Sequence, residues 1–127
     1  MLELQNRASG VLMPISSLPS DFGIGTLGRN AYRFVDFLKS AGQTYWQILP
    51  VCPTGFGDSP YQSVSTFAGN PYFIDLDTVL SEGYLAKEDY QNTFWGESSK
   101  RVDYGVVFEK RNKVFEKYQD AIKKMYK

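Results

Sequence analysis

The first fifty residues carry a strand, helix, strand pattern, and this pattern constrains the fold more than any other feature of the sequence. A short apolar run at 9–15, bounded by serine, glycine and proline residues that favour turns, predicts a buried strand. Residues 28–41 repeat apolar side chains on one helical face, and Gly42 supplies the stop. That face consists of Ala31, Phe34, Val35 and Leu38. A second buried strand is predicted at 45–51, so we expect an α/β fold that begins with a parallel βαβ unit.

A loop rich in glycine and proline, 53–71, follows the second predicted strand. Loops at the carboxyl ends of parallel strands are where α/β proteins place their ligands. Asp58 and Gln62 offer polar groups that can pair with sugar hydroxyls. Phe56 and Tyr61 offer rings that can stack on the C–H face of a sugar. The loop therefore favours carbohydrate binding, and the alternative is a packed loop whose rings belong to the core.

Residues 72–77 alternate between apolar and polar side chains, which predicts a short strand. On such a strand Asp75 and Asp77 share one face, opposite Ile74 and Leu76. A carboxylate pair can hold a metal or perform acid/base chemistry, but the same spacing is typical of any half-exposed strand. We predict that both carboxylates face solvent.

The composition of the chain changes near residue 80. All six prolines precede this point, and the charged residues become denser after it. We divide the chain into 1–80, which holds the βαβ unit and the loop 53–71, and 81–127, a charged helical segment expected to form a solvated surface layer. Within the second part, 106–126 places apolar residues on one face and predicts a long amphipathic helix.

Three glycines, Gly23, Gly25 and Gly28, form a literal G-x-G-x-x-G before the first predicted helix. This motif can bind a dinucleotide when its first glycine ends the first strand. Here residues 18–22 intervene, and the second strand offers no acidic residue at 47–51 to hold a ribose. A loop with flexible turns is the favoured interpretation.

Composition excludes several classes of function. The chain has 14 basic and 14 acidic residues and no basic stripe, so we expect no nucleic-acid partner. It has no histidine and one cysteine, Cys52, which excludes disulfide frameworks, Cys/His zinc sites and histidine-dependent triads. We predict Cys52 to be a buried, inert thiol. We expect no metal, no cofactor, no membrane partner and a cytoplasmic location, since no apolar run is long enough for a signal or a membrane span.

Five segments together resemble the amino-terminal part of the 4-α-glucanotransferases, the amylomaltases or disproportionating enzymes. They are SGVLMPISSLP at 9–19, FGIGTLG at 22–28, YWQILP at 45–50, PTGFGDSPYQ at 53–62 and AGNPY at 68–72. The motifs occur in the family's order and spacing, and the resemblance runs from about Arg7 to Arg111.

The resemblance implies the N-terminal portion of a (β/α)₈ TIM barrel, with the start of an inserted helical subdomain at 81–127. It also implies a retaining transfer of α-1,4-glucan segments through a covalent glycosyl-enzyme on an aspartate. By position, Tyr61 corresponds to the tyrosine that stacks on the sugar next to the scissile bond. The residues implied to flank it in the substrate loop are Asp58, Ser59 and Gln62.

Phe56 and Phe108 match aromatic positions that form an outer glucan-binding groove in some members of the family. Some members carry tyrosine at both positions, so the resemblance implies that stacking is retained here while the hydroxyl groups of that site are absent.

Family members are several times longer, and their catalytic carboxylates lie beyond the matched stretch. We therefore interpret the chain as an amino-terminal segment that supplies substrate-binding residues and no catalytic residue, and we expect it to be inactive alone. Its expected partners are α-1,4-glucans, maltooligosaccharides and the remainder of the same enzyme. The alternative hypothesis is a non-catalytic glucan-binding module that uses Tyr61 and Phe56 as platforms.

Overall fold

The computed structural model describes residues 7–126, and its N-terminal part is a parallel βαβ unit. Strand β1 (Gly10–Leu12) pairs in parallel with strand β2 (Tyr45–Gln47), with Val11 opposite Trp46. Helix α1 (Arg29–Ser40) connects them. The predicted order and parallel pairing are confirmed, although each strand is only three residues long.

Helix α1 packs through three of the four residues of the predicted apolar face. Its Ala31 and Leu38 are buried, and the Phe34 ring meets the Trp46 ring edge-on at a centroid distance of 5.0 Å. The fourth residue, Val35, is exposed. The helix ends before Gly42, whose φ of +71° lies in the left-handed region that a glycine stop requires. Ile15, Leu18 and Ala31 form a small core beneath the helix.

The prediction that both strands are buried is wrong for the described residues. Leu12 is 57% exposed, Tyr45 is 64% exposed, and Val11 and Ile48 are also exposed. A two-stranded sheet of this length has two open edges, and α1 with its small core covers only part of it. The apolar side chains of the two strands are therefore only partly covered by the rest of the chain.

The prediction of a strand at 72–77 is also wrong. A 3₁₀ turn (Pro71–Phe73) and a short helix α2 (Leu76–Ser81) occupy this stretch. The Asp75 carboxylate accepts a hydrogen bond from the backbone N–H of Thr78 at 3.0 Å, which is N-cap geometry. The capping bond gives a partner to a backbone N–H that the first turn of a helix would otherwise leave unpaired. This local bond favours a helix over the strand that the alternating pattern predicts.

Helix α3 (Tyr104–Met125) is the long amphipathic helix predicted at 106–126, and the Asp103 carboxylate caps its N-terminus. It buries Val107, Val114 and Phe115 in the main core. The other buried members of this core are Ile24, Tyr72, Leu76, Val79, Leu85 and Tyr90. Residues after 80 thus build the core together with residues before it, and the expectation of a mere solvated layer is incorrect.

Two glycines of the G-x-G-x-x-G motif allow close packing. A Cβ on Gly25 would lie 2.0 Å from the carbonyl oxygen of Ile15, and one on Gly28 would lie 2.3 Å from the Asp75 carboxyl carbon. Backbone and side chain therefore occupy the space that a larger residue would need. Although α3 has 22 residues, no helix within 7–126 is apolar and long enough to cross a membrane.

Candidate functional site

The loop 53–71 is closed at its base and folded back on itself. The backbone N–H of Asn70 donates to the carbonyl of Val51 at 2.7 Å, which joins the end of the loop to the segment after β2. Further in, Thr54 and Ser63 form an antiparallel bridge. These contacts make a hairpin-like projection beyond the carboxyl end of β2.

Two successive turns shape the tip of this loop. In the first, the N–H of Asp58 donates to the carbonyl of Gly55 at 3.1 Å, and Gly57 has the positive φ of 94° that suits the third position of a type II turn. The second turn closes from Gln62 N–H to the Ser59 carbonyl at 3.1 Å, with proline favoured at its second position.

The turns explain why two aromatic rings project into solvent. Phe56 occupies a corner of the first turn and is fully exposed, and Tyr61 occupies a corner of the second turn and is 72% exposed. The Ser59 hydroxyl accepts a hydrogen bond from the Tyr61 N–H at 3.3 Å and so helps to hold that corner. Exposed rings on a hydrogen-bonded loop form a surface suited to stacking on a flat apolar partner. They do not belong to the core.

Asp58 is half-buried and has a left-handed φ of 56°. It lines a small cavity of about 100 Å³ beneath the loop, together with Ser16, Asn70 and Tyr104. Burial raises the pKa of the Tyr72 phenol, and the negative charge of Asp58 raises that pKa further. Asp58 thus faces the cavity beneath the loop and acts electrostatically on Tyr72, whereas Gln62 is exposed.

The sequence interpretation missed two residues that line this cavity, Asn70 and Tyr104. Asn70 is buried, and its side chain accepts a hydrogen bond from the Tyr72 N–H at 2.9 Å, so it caps the turn that follows the loop. The Asn-Pro pair at 70–71 is a signal that could have found it. Tyr104 comes from the start of α3, and only the fold brings it beside Asp58.

Phe108 lies on α3, one helical turn after Tyr104, and it is 63% exposed. Tyr104 and Asp58 line the same cavity, so the start of α3 adjoins the loop. The structure thus joins Phe56, Tyr61 and their polar neighbours in one hairpin, while Phe108 is presented by a separate element.

The acidic pair and the thiol have structural contacts. Asp75 accepts from the Thr26 hydroxyl at 2.8 Å and from the Thr78 hydroxyl at 2.9 Å, and Asp77 accepts from the Tyr90 hydroxyl at 3.0 Å. Burial and this bond raise the pKa of Tyr90 to about 12. The predicted strand is therefore wrong, because Asp75 caps α2 and Asp77 lies in its first turn. The predicted exposure is confirmed for Asp77, whereas Asp75 is half-buried. Within residues 7–126 no three potential metal ligands cluster.

Cys52 is only half-buried, and its Sγ lies 3.4 Å from the Thr66 carbonyl oxygen across the base of the loop. The predicted burial of this side chain is therefore only partial.

A family model described as 4-alpha-glucanotransferase, glycoside hydrolase family 77, matches residues 13–127. The chain belongs to this family. A 4-alpha-glucanotransferase of Clostridium butyricum is 55% identical over 105 residues, which cover 83% of this chain and 22% of that protein. One from Thermus thermophilus is 53% identical over 80% of this chain and 19% of that protein.

A solved structure, amylomaltase from Streptococcus agalactiae in complex with acarbose, is also similar to this chain. It superposes with a TM-score of 0.90 at 56% identity, over 93% of this chain and 24% of that one. The chain thus spans roughly a fifth to a quarter of the length of these relatives. Its mixed α/β architecture is that of the corresponding part of an amylomaltase.

Proposed function

We propose that this chain forms part of a 4-α-glucanotransferase, an enzyme that transfers α-1,4-glucan segments to the 4-hydroxyl of another glucan. The observation that carries the proposal is the match of residues 13–127 to the family, together with the similarity to an amylomaltase that binds acarbose. The solvent-exposed rings on the loop 53–71 support it, because they are placed to meet a sugar rather than to fill a core.

Within this enzyme, Tyr61 is the proposed platform for the sugar next to the scissile bond. An aromatic face can stabilise a ring that develops oxocarbenium-like character in the transition state. Asp58, Ser59 and Gln62 are the proposed polar residues of the same substrate loop. The half-buried position of Asp58 and the bond from Tyr61 N–H to Ser59 suit a supporting role, whereas the exposed Gln62 is free to meet sugar hydroxyls.

Phe56 and Phe108 are the proposed outer glucan site. Both rings are exposed, and neither has a hydroxyl group, so their contribution is stacking alone. A long glucan that reaches these two rings would gain binding energy outside the catalytic site of the proposed enzyme.

The proposed catalytic carboxylates lie outside this chain. A retaining mechanism needs two carboxyl groups about 5–5.5 Å apart across the scissile bond, one as nucleophile and one as acid/base. Asp75 and Asp77 are poor candidates because Asp75 caps α2 through the Thr78 N–H and Asp77 accepts a hydrogen bond from the Tyr90 hydroxyl. We propose that this chain supplies substrate-binding residues and that the remainder of the same enzyme supplies the chemistry.

We also propose that the βαβ unit opens a (β/α)₈ barrel, with residues 1–80 as its first unit and 81–127 as the start of an inserted subdomain. The exposed apolar side chains of Leu12 and Ile48 suit strands that continue in a larger sheet. The single cysteine suits the cytoplasmic location that we propose for the enzyme.

The test is disproportionation of maltotriose by the complete enzyme. We expect glucose and longer maltooligosaccharides as products, with the α-configuration retained. The isolated 127-residue chain, shown free of full-length enzyme, should give neither product. Turnover by the isolated chain would contradict the placement of the catalytic acids, and glucan binding by the complete protein without any transfer would favour a binding module instead.

A further inference from the structure

Arg111 is the least expected residue of the main core. It lies on the apolar face of α3, four residues after Val107 and four before Phe115, and its side chain is fully buried. Charged side chains almost never occupy such positions without a partner of opposite charge. No salt bridge to Arg111 exists among the described residues.

The guanidinium of Arg111 instead binds backbone. One terminal nitrogen donates to the carbonyl of Tyr72 at 2.8 Å and also to the carbonyl of Ile74. The other terminal nitrogen and Nε are buried without partners, and the group lies over the Phe115 ring, 5.3 Å from its centroid. Burial lowers the pKa of Arg111 to about 10, so the group still carries its charge at neutral pH.

These two bonds hold one short segment from one side. The intervening carbonyl, that of Phe73, accepts from the Leu27 N–H at 2.8 Å on the other side. Residues 72–74 are therefore held between α3 and the segment that precedes α1. Two residues before this segment, Asn70 closes the base of the loop 53–71 through its bond to Val51.

Packing alone gives no reason for an arginine here. A buried charge with two unpartnered nitrogens costs desolvation energy that an apolar side chain of similar size avoids. What an apolar side chain lacks is the ability to bind two carbonyls and so set the distance between α3 and the end of the loop. This contact joins the two elements that carry the aromatic surfaces of the proposed function, the loop with Tyr61 and Phe56 and helix α3 with Phe108.

We propose that Arg111 is a positioning residue for glucan binding, which fixes residues 72–74, and with them the end of the substrate loop, against α3. The proposal rests on the proposed function. Without these bonds the loop samples more arrangements relative to α3. A glucan that contacts both the loop and α3 then binds only the fraction of molecules in the arrangement that fits it. The apparent affinity then falls while the rate of the saturated enzyme is retained.

The experiment compares Arg111→Met and Arg111→Lys in the complete enzyme, with amylose as the long glucan. Methionine fills similar space without donating, whereas lysine keeps the positive charge and has three N–H donors on one nitrogen for the two carbonyls. We expect Arg111→Met to raise KM for amylose about three- to tenfold while kcat stays within about twofold. Arg111→Lys should keep KM within about twofold of the wild-type value.

A purely structural role gives a different result. Loss of stability lowers the folded fraction, so kcat falls and KM is unchanged. An unchanged KM in Arg111→Met therefore overturns the proposal. If that variant does not fold, Arg111→Gln takes its place, since glutamine is too short to reach the carbonyls. Equal KM values for Arg111→Gln and Arg111→Lys would also overturn it.

Two further measurements separate this proposal from the proposed function. Lys113→Met removes a charge from the exposed side of α3 and should leave KM unchanged. Hydrogen exchange at the amides of Phe73 and Ile74 needs no glucan, and it should accelerate in Arg111→Met and not in Arg111→Lys. Absence of transfer by the wild-type enzyme refutes the proposed function, whereas unchanged exchange refutes the positioning role of Arg111.

Discussion

The packed helical region and the strand-and-loop region of this chain use similar apolar side chains in opposite ways. The packed helical region comprises α2, α3 and the residues between them, and its Leu76 and Val107 are fully buried. The strand-and-loop region comprises β1, β2 and the loop 53–71, and its Leu12, Tyr45 and Phe67 are exposed. An apolar residue therefore indicates burial only where the chain itself supplies a cover.

The difference also separates two kinds of exposure. Leu12 and Ile48 lie in or next to strands whose edges are unpaired, as expected of a surface that another part of the enzyme covers. Phe56 and Tyr61 lie at corners of hydrogen-bonded turns, where the backbone itself holds the ring outward. Under the proposed function, the first kind of exposure corresponds to contact with the remainder of the enzyme and the second kind to glucan binding.

The largest expected effect compares a core residue with a strand residue. In the complete enzyme, Leu76→Ala should lower the free energy of unfolding by about 2–5 kcal/mol, because it leaves a cavity in the main core. Leu12→Ala should cost a similar amount if the proposed barrel covers the strand. Denaturant unfolding measures both, and a cost below about 0.5 kcal/mol for Leu12→Ala would place that strand at the surface of the enzyme.

The next effect concerns the loop. Tyr61→Ala should lower kcat/KM for maltooligosaccharides about 10- to 100-fold, which corresponds to the loss of about 1.5–3 kcal/mol of ring burial against a sugar. Tyr61→Phe keeps the ring and should retain most of the activity. Steady-state kinetics with maltotriose measure both, and wild-type kinetics for Tyr61→Ala would remove this ring from the site.

A smaller effect is expected at the outer site. The double change Phe56→Ala with Phe108→Ala should raise KM for amylose several-fold, since each ring contributes about 0.5 kcal/mol of stacking. Transfer between short maltooligosaccharides should stay within about threefold. Phe94→Ala, another exposed ring outside both aromatic sets, is the matched control. Equal losses on long and short substrates would contradict a separate outer site.

The smallest effect lies on the surface of the packed helical region. Lys117 binds the Asp89 carboxylate at 2.7 Å and, with the Ala86 N–H, lowers the pKa of that carboxyl. Asp89 therefore contributes stability above its unfolded pKa of about 3.9, and this contribution is lost as the pH falls through the lower folded value.

Asp89→Asn should cost at most about 1 kcal/mol at neutral pH, because one partner is exposed and salt screens the pair. The difference between variant and wild type should shrink as the pH is lowered from neutral to below the unfolded pKa of Asp89, because its carboxyl becomes protonated. Unfolding in denaturant at neutral and at acid pH measures it. Asp120→Asn, which alters a longer and more exposed pair, should change nothing at either pH.

Local signals in the sequence predicted the elements whose bonds are local. The apolar spacing and Gly42 were sufficient for α1, and the amphipathic pattern was sufficient for α3, because both depend on contacts within a few residues. The strand predicted at 72–77 failed because an Asp75 cap competes with alternation, and the pattern alone does not show which one dominates.

The sequence by itself determined the family, the parallel βαβ unit and the loop that carries Tyr61, since these follow from motifs that are contiguous in the chain. Only the tertiary structure decided that Tyr104 lies beside Asp58, that Arg111 holds the Tyr72 carbonyl, and that β1 is exposed. The bond from Arg111 spans 39 residues. Such contacts depend on which surfaces meet in the folded chain. The apolar periodicity of a helix that contains one arginine is the same whether that arginine binds water or backbone, so the sequence pattern does not distinguish the two.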